Sequence, residues 1–292
     1  MRRRNCGLST WLQEDPSIQN PIHKVLSTLA SHDVRALLMG GQACVFYGGA
    51  EFSRATDVTI LASNENLAHL RSALRELHAR RIAIPPFQLD YLTRGHAIHF
   101  RSYHPDAMKM RIGVMSVMRG VDQFDQLWER RVRMAGAGDE RYDVISLPDL
   151  IRAKKTQRDK DWPIIRRLIE ADYVGHPGPT NAQLRFWMIE SRTPGMLIDL
   201  VQDHQQLADA LKDLRKALIH AEAGDESAIE SELEREEKAE READRLYWRP
   251  LRSELEELGK SVVLRRNKCS HAVSSFGFSV VSSECGGSVL PN

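Results

Sequence analysis

Asp57 is the side chain that points most directly to chemistry, because it lies on the predicted strand "TDVTIL". Side chains at positions i and i+2 of a strand share one face, so a carboxylate at position 59 would face the same way. Two such carboxylates hold a hard cation such as Mg²⁺ together with the phosphates of a nucleotide. Position 59 is a threonine, Thr59, so this strand offers a metal one carboxylate, Asp57.

A glycine pair, Gly40 and Gly41, separates the predicted strand "RALLM" from the short predicted helix "QACVFYG". Glycines at a strand-to-helix junction let the backbone approach a phosphate and direct helix N–H groups towards it. Taken alone, the pair favours a simpler interpretation, a tight turn. The nearby Asp57 makes the phosphate interpretation competitive.

Basic residues downstream could neutralise such phosphates. Lys154 and Arg158 are four residues apart in a segment predicted to be helical, so they would share one face, with Lys155 beside them. The alternative is a solvated helix whose basic residues alternate with aspartates. Arg54, three residues before Asp57, could likewise contact phosphate or only cap a loop.

The elements that would position these residues follow from periodicity and turn residues. Five strands are predicted, at "RALLMGG", "ATDVTILAS", "HAIHFRS", "MKMRIGVMS" and "YDVISL", with helices between them. Strands and helices interleaved in this way predict an α/β (α+β) domain with a mixed sheet over residues 21–147.

The rest of the chain has a different character. Residues 1–20 form a polar lead, and residues 148–222 are predicted to be helical, so that an all-α region follows the sheet. Pro163 would either kink the first helix of this region or start a second one. Residues 223–260 are rich in Glu and Arg and predict one long, solvated helix with a sparse apolar stripe. Residues 261–292 are rich in Ser, Val and Gly, and we expect a disordered tail there.

Taken together, the glycine pair and the strand around Asp57 resemble the nucleotidyltransferase superfamily, the DNA polymerase β-like fold, in particular its small bacterial, AbiEii-toxin-like branch. That family's motif is a GG or GS turn, a short helix, a strand with Asp-x-Asp or Asp-x-Glu, and a third Asp on a later strand. "LPDLIRAKKTQRDKDW" resembles the helical segment that follows the family's catalytic sheet. The resemblance covers roughly residues 22–170.

The resemblance implies a metal-dependent transfer of a nucleotidyl group from an NTP to an acceptor, with Mg²⁺ or Mn²⁺ as cofactor and Asp57 as catalytic residue and metal ligand. The acceptor would be an RNA or a protein, and membership of a toxin–antitoxin system would add an antitoxin partner. The nucleotide-binding residues implied are Gly40, Gly41, Arg54, Lys154, Lys155 and Arg158.

Two positions depart from the family's pattern. Thr59 replaces the second carboxylate, and Gly113 in "MRIGVMS" stands where the third Asp would be, on the strand face that carries Arg111 and Met115. Replacement ligands could come from Glu51, Asp90 or Asp106, although no spacing requires it. The departures favour an alternative hypothesis, a catalytically degenerate member that binds nucleotide or a protein partner without transfer.

The histidines, the net charge and the cysteines also bear on the class of protein. His96 and His99 are three apart, so on a strand they would face opposite sides, and we interpret them as packing or surface residues. The net charge of +1 argues against a generally basic nucleic-acid coat protein. Four scattered cysteines without a CxxC pair, and no apolar stretch typical of a signal peptide or a membrane span, predict a cytoplasmic protein. A third hypothesis is an interaction protein that recruits a partner through residues 225–260.

Overall fold

The computed structural model describes residues 21–136 and 140–274, and these residues form one seven-stranded sheet and twelve α-helices. The strands are β1 (Ala36–Met39), β2 (Ala55–Ile60), β3 (Arg80–Arg81), β4 (Ile98–Arg101), β5 (Arg111–Met115), β6 (Val132–Ala135) and β7 (Arg141–Val144). The helices are α1 (Pro21–Ser31), α2 (Gly40–Phe46), α3 (Asn64–Glu76), α4 (Leu89–Thr93), α5 (Phe124–Glu129), α6 (Leu147–Lys154), α7 (Asp161–Gly175), α8 (Asn181–Glu190), α9 (Pro194–Asp203), α10 (Gln205–Asp209), α11 (Ala217–Glu222) and α12 (Glu226–Ser274).

The sheet is mixed, with strand order β3-β4-β5-β2-β1-β7-β6. The pairs β2–β5 and β1–β7 are parallel and the other neighbouring pairs are antiparallel. From Leu147 onwards the described residues contain helices and no strand. The predicted α/β class with a helical C-terminal region is therefore confirmed.

Each of the five predicted strands overlaps an observed one, whereas β3 and β6 were not predicted. Both of these strands consist almost entirely of exposed residues, so neither shows the alternation of buried and exposed positions that marks a strand in a sequence. They are held at the two edges of the sheet by pairing with β4 and β7.

The two faces of the sheet follow from the alternation along β2. Val58 and Ile60 are almost wholly buried in a cluster with side chains of α1 and α3. Asp57 and Thr59 face the other side, where α2, α6 and α7 pack on β1 and β7. Burial of one large aliphatic side chain contributes about 1.5–3 kcal/mol, so slipping β2 by one residue would be costly. The register that places Asp57 on the second face is therefore fixed by the core.

The basic segment is two helices rather than one. Helix α6 ends at Lys154 and α7 starts at Asp161, with Pro163 in its first turn, where proline is tolerated. Lys154 and Arg158 are consequently not one turn apart on a single helix, and that part of the prediction was wrong. The hydroxyl of Thr156 donates to Asp161 Oδ2 (2.6 Å) and the indole of Trp162 donates to the carbonyl of Thr156 (2.9 Å), which fixes the break.

The long helix α12 is not solvated all round. Ile229, Leu233 and Leu251 are buried against the body of the protein, and Asp244 is only 2% exposed. The helix also continues beyond residue 260 to Ser274. The remainder of the expected tail, residues 275–292, and the polar lead, residues 1–20, lie outside the described residues. None of the described helices is both long and apolar enough to cross a bilayer.

Candidate functional site

A cleft of about 790 Å³ lies over the face of the sheet that carries Asp57. Strands β2, β4 and β5 form its floor, and the first residues of α2 form one side. The connection between α6 and α7, residues 155–160, forms a second side, and residues 244–255 of α12 close a third. The cleft therefore brings together segments that are far apart in the sequence.

Asp57 lies on the cleft floor between two glycines. Its Cα pairs with Met39 of β1 on one side and with Gly113 of β5 on the other. A Cβ at Gly40, whose φ is +67°, would lie 2.7 Å from Asp57 Oδ2, and a Cβ at Gly113 would overlap with Oδ1. The carboxylate of Asp57 thus occupies the space that side chains at positions 40 and 113 would need. Among the described residues, it has no hydrogen-bond or ion-pair partner.

His99 and Arg111 extend this row of the floor. His99 of β4 pairs with Gly113, and its Nδ1 would lie 3.4 Å from a Cβ there. The Arg111 guanidinium lies 3.4 Å from the same Nδ1. Burial lowers the pKa of His99 and the charge of Arg111 lowers it further, while Asp57 acts in the opposite direction. His99 is therefore neutral at pH 7, with Nδ1 facing a donor.

The predicted basic residues Lys154 and Arg158 both reach the cleft, but both form an ion pair with the same aspartate. Asp161, which is fully buried, accepts from Lys154 Nζ at 3.0 Å and from Arg158 Nε at 2.7 Å. Burial raises the pKa of Asp161, but Lys154 and the hydroxyl of Thr156 outweigh burial and hold it below its usual range. Lys154 itself is 7% exposed, so its charge serves a buried ion pair.

The other predicted site residues separate into two groups. Gly40, Gly41 and Arg54 line the cleft, with the Arg54 guanidinium 5.7 Å from the ring of Phe52. Lys155 does not line the cleft. It pairs instead with Glu190 of α8 at 2.7 Å.

Unpaired cations dominate the rest of the lining. Arg54, Arg111, Lys160 and Arg252 line the cleft, and none of them forms an ion pair with a described residue. Asp244, the third aspartate in the lining, accepts from the backbone N–H of Gln157 (2.9 Å) and lies 3.4 Å from Arg119. Asp57 is therefore the one lining carboxylate without a partner among the described residues, and the cleft as a whole is suited to an anion.

The donor set does not fit a Mg²⁺ or Mn²⁺ pair. Thr59 is fully buried, its hydroxyl has no hydrogen-bond partner among the described residues, and it does not line the cleft. The proposed replacement ligands Glu51, Asp90 and Asp106 also lie outside the lining. Within residues 21–136 and 140–274, no group of three His, Cys, Asp or Glu side chains could hold a metal ion. Asp57 alone offers too few oxygens for a two-metal site.

Three lining residues, His99, Arg111 and Arg252, were given no binding role from the sequence, whereas Lys160 belongs to the basic segment that was singled out. A signal existed for the first two, because "HAIHFRS" and "MKMRIGVMS" are joined by a turn-like segment and must pair as antiparallel neighbours. The register of that hairpin places His99 beside Gly113 and hence beside Asp57. Arg252 had no comparable signal, since its position depends on the packing of α12.

Comparison with known proteins does not assign the chain to a family. No protein-family model matches the chain, and no curated protein matches it.

Proposed function

We propose that this protein has a nucleotidyltransferase-like fold and that its cleft binds a nucleotide through the phosphates without transferring it. The observation that carries the proposal is the set of four unpaired cations, Arg54, Arg111, Lys160 and Arg252, around the single unpaired carboxylate of Asp57. Guanidinium and ammonium groups without a protein counter-ion favour a phosphate-bearing ligand.

The arrangement of the sheet supports the resemblance. Gly40 and Gly41 open the helix that connects β1 to β2, and Asp57 lies on β2 as the family's first carboxylate would. Position 113 is the direct neighbour of Asp57 on a parallel strand, where the resemblance implies a third carboxylate. The sequence motifs and their positions on the sheet are thus mutually consistent.

The chemistry of the site favours binding over transfer. Phosphoryl and nucleotidyl transfer need charge neutralisation at both the attacking and the leaving oxygen, which paired carboxylates provide by holding two metal ions. Here position 113 has no side chain, Thr59 is sealed in the core, and Lys154 is engaged by Asp161. Binding by direct contact with cations requires none of these groups.

A metal-dependent transferase is the competing proposal, because Asp57 keeps a free carboxylate beside the glycine turn. In that case Asp57 would hold Mg²⁺ or Mn²⁺, and an RNA or protein acceptor, with an antitoxin, would follow from the resemblance. The third hypothesis, recruitment of a partner through residues 225–260, can no longer be tested by removing that helix alone. Helix α12 forms a side of the cleft, so removing the helix would impair the cleft as well.

Asp57→Asn distinguishes binding from transfer. Calorimetric titration of ATP in excess EDTA should show binding by the wild type and binding about threefold tighter by Asp57→Asn, because the substitution removes the unpaired anion from a cationic site. The matched control is Asp199→Asn on α9, an exposed aspartate outside the cleft, which should bind ATP like the wild type. Binding that requires Mg²⁺ and is lost in Asp57→Asn would overturn the proposal in favour of the transferase.

A further inference from the structure

Three arginines lie side by side across the outer strands of the sheet. Arg80 of β3 pairs with Arg101 of β4, and Arg101 pairs with Arg111 of β5. Directly paired residues of neighbouring strands share a face, and here it is the face that carries His99 and Asp57. All three arginines are exposed. We call Arg80, Arg101 and Arg111 the arginine row.

The positive charges of the arginine row repel one another, and no carboxylate of the described residues offsets this repulsion. Like charges directly opposite each other on neighbouring strands are destabilising. No ion pair joins any of the three to a carboxylate within residues 21–136 and 140–274. An edge strand often carries basic residues to block pairing with other sheets, and this explains Arg80 on β3. It does not explain Arg101 and Arg111, which lie on strands paired on both sides.

The row is continuous with the cleft at one end only. Arg111 lines the cleft, whereas Arg80 and Arg101 do not. With strands about 4.8 Å apart, the row extends about 10 Å beyond the cleft floor towards the sheet edge. A single nucleotide held in the cleft would leave Arg80 and Arg101 without a ligand. A longer polyanion that enters the cleft would contact all three.

Exposed aromatic rings accompany the cations. Tyr103 is 42% exposed, and the Arg80 guanidinium lies 5.5 Å from its ring. Phe52, in the segment that leads into β2, is 68% exposed beside Arg54 and lines the cleft. Cations alternating with exposed aromatic rings are typical of surfaces that bind a single-stranded nucleic acid, because bases stack on the rings while the cations contact the phosphates.

From this geometry we infer that the arginine row binds the phosphate backbone of a single-stranded nucleic acid whose terminal nucleotide enters the cleft. The inference rests on the proposed function, since the cleft supplies the site for that terminal nucleotide. An acidic peptide would be attracted by the same charges, but the exposed rings of Tyr103 and Phe52 favour a ligand with stacking bases.

The test compares two double variants of equal charge change. Arg80→Gln/Arg101→Gln removes the part of the row outside the cleft, and Arg167→Gln/Arg185→Gln removes two exposed arginines of α7 and α8 that lie outside the cleft. Fluorescence anisotropy with a labelled oligoadenylate of about 12 nucleotides measures strand binding, and calorimetry with ATP in EDTA measures the cleft alone. Circular dichroism melts confirm that both variants fold.

We expect the row variant to bind the oligoadenylate about tenfold more weakly than the wild type. The slope of log K against log salt should fall in magnitude by about 1.4, since each lost phosphate contact removes about 0.7 for a single strand. ATP affinity should stay within about twofold, because neither Arg80 nor Arg101 lines the cleft. The control variant should bind both ligands like the wild type.

The failure of this inference differs from that of the proposed function. ATP binding without oligoadenylate binding, or a row variant that behaves like its control, overturns the inference and leaves the nucleotide site intact. Displacement of the oligoadenylate from the row by a poly-glutamate of equal length and charge would overturn it in favour of an acidic protein partner. Absence of ATP binding in the wild type would contradict the proposed function itself.

Discussion

Two groups of cations line the same cleft and differ in what they face. Lys154 and Arg158, in and after α6, both pair with Asp161, so the nearly buried charge of Lys154 is balanced and Arg158 is held in an ion pair. Arg111 on the floor and Lys160 at the rim have no ion-pair partner among the described residues. The first group stabilises the connection between α6 and α7, whereas the second is available to a ligand.

The difference shows that a basic cluster in a sequence does not by itself identify the binding residues. The dense run "RAKKTQRDKD" carries its own acids, and the fold uses one of them to organise the break between α6 and α7. The sheet arginines Arg101 and Arg111 lie ten residues apart in the sequence, and neither forms an ion pair with a described residue. Predictions that separate a structural from a ligand-binding role follow from this contrast.

The largest expected effect is on stability, from Asp161→Asn. The substitution leaves Lys154 as a nearly buried charge without its counter-ion, which typically costs about 3–5 kcal/mol in the free energy of unfolding. Urea denaturation measures the loss. The control is Glu234→Gln, which breaks an exposed ion pair with Lys238 and should change the free energy of unfolding by less than about 0.5 kcal/mol. A loss below about 1 kcal/mol for Asp161→Asn would mean that the pair is not structural.

Gly113→Asp places a carboxylate where the resemblance implies a third one, and tests whether the fold has room for it there. The new Cβ would overlap with Asp57 Oδ1, so we expect a loss of about 1–3 kcal/mol and no gain of Mg²⁺ binding. Gly178→Asp is the control, since a Cβ there meets open space, and its effect should be within about 0.5 kcal/mol. Chemical denaturation and Mg²⁺ calorimetry report the two quantities. A stable variant that binds Mg²⁺ would show that the metal site was only one residue from completion.

The Asp161 pair should also make stability depend on pH. Its folded pKa is lowered, so the stabilisation is fully present above the unfolded value of about 3.9 and disappears as pH falls through the folded value. Urea unfolding of the wild type and Asp161→Asn, between about pH 6 and about pH 3, isolates this contribution from that of the other carboxyls. The two curves should converge as pH falls. Parallel curves would contradict the assignment.

The smallest expected effect is on ATP affinity, and it distinguishes two lysines of the same segment. Lys160→Gln removes an unpaired cation from the cleft and should weaken ATP binding roughly threefold. Lys155→Gln should leave ATP binding unchanged within about twofold, because Lys155 pairs with Glu190 outside the cleft. Equal effects of the two substitutions in calorimetry would remove the distinction between ligand-binding and structural cations.

The sequence predicted those strands whose formation depends on residues close to one another in the chain. The strands around Leu37, Val58 and Ile112 were predictable because short apolar runs with flanking turn residues are recognisable within a few positions. Strands β3 and β6 were not, since edge strands of exposed residues form only because a neighbour pairs with them. The end of α6 at Lys154 was also missed, because hydrogen bonds to Thr156 and Asp161 outweigh the helix propensity of the intervening residues.

The site was predictable only in its first half. Gly40, Gly41, Arg54 and Asp57 follow one another along the chain, so spacing alone placed them together. Arg252 reaches the cleft because α12 packs over it. The sequence of α12 predicts a largely solvated helix and therefore gives no indication of that contact. Sequence periodicity describes which face of a helix is apolar, but not which distant surface that face covers.

We propose that the cleft binds phosphates through its own cations, and the most direct test is the affinity of the wild type for ATP in excess EDTA compared with excess Mg²⁺. We expect binding in EDTA that is at least as tight as in Mg²⁺, because the metal-free triphosphate carries more negative charge. Binding only in the presence of Mg²⁺ would contradict this proposal and favour Asp57 as a metal ligand.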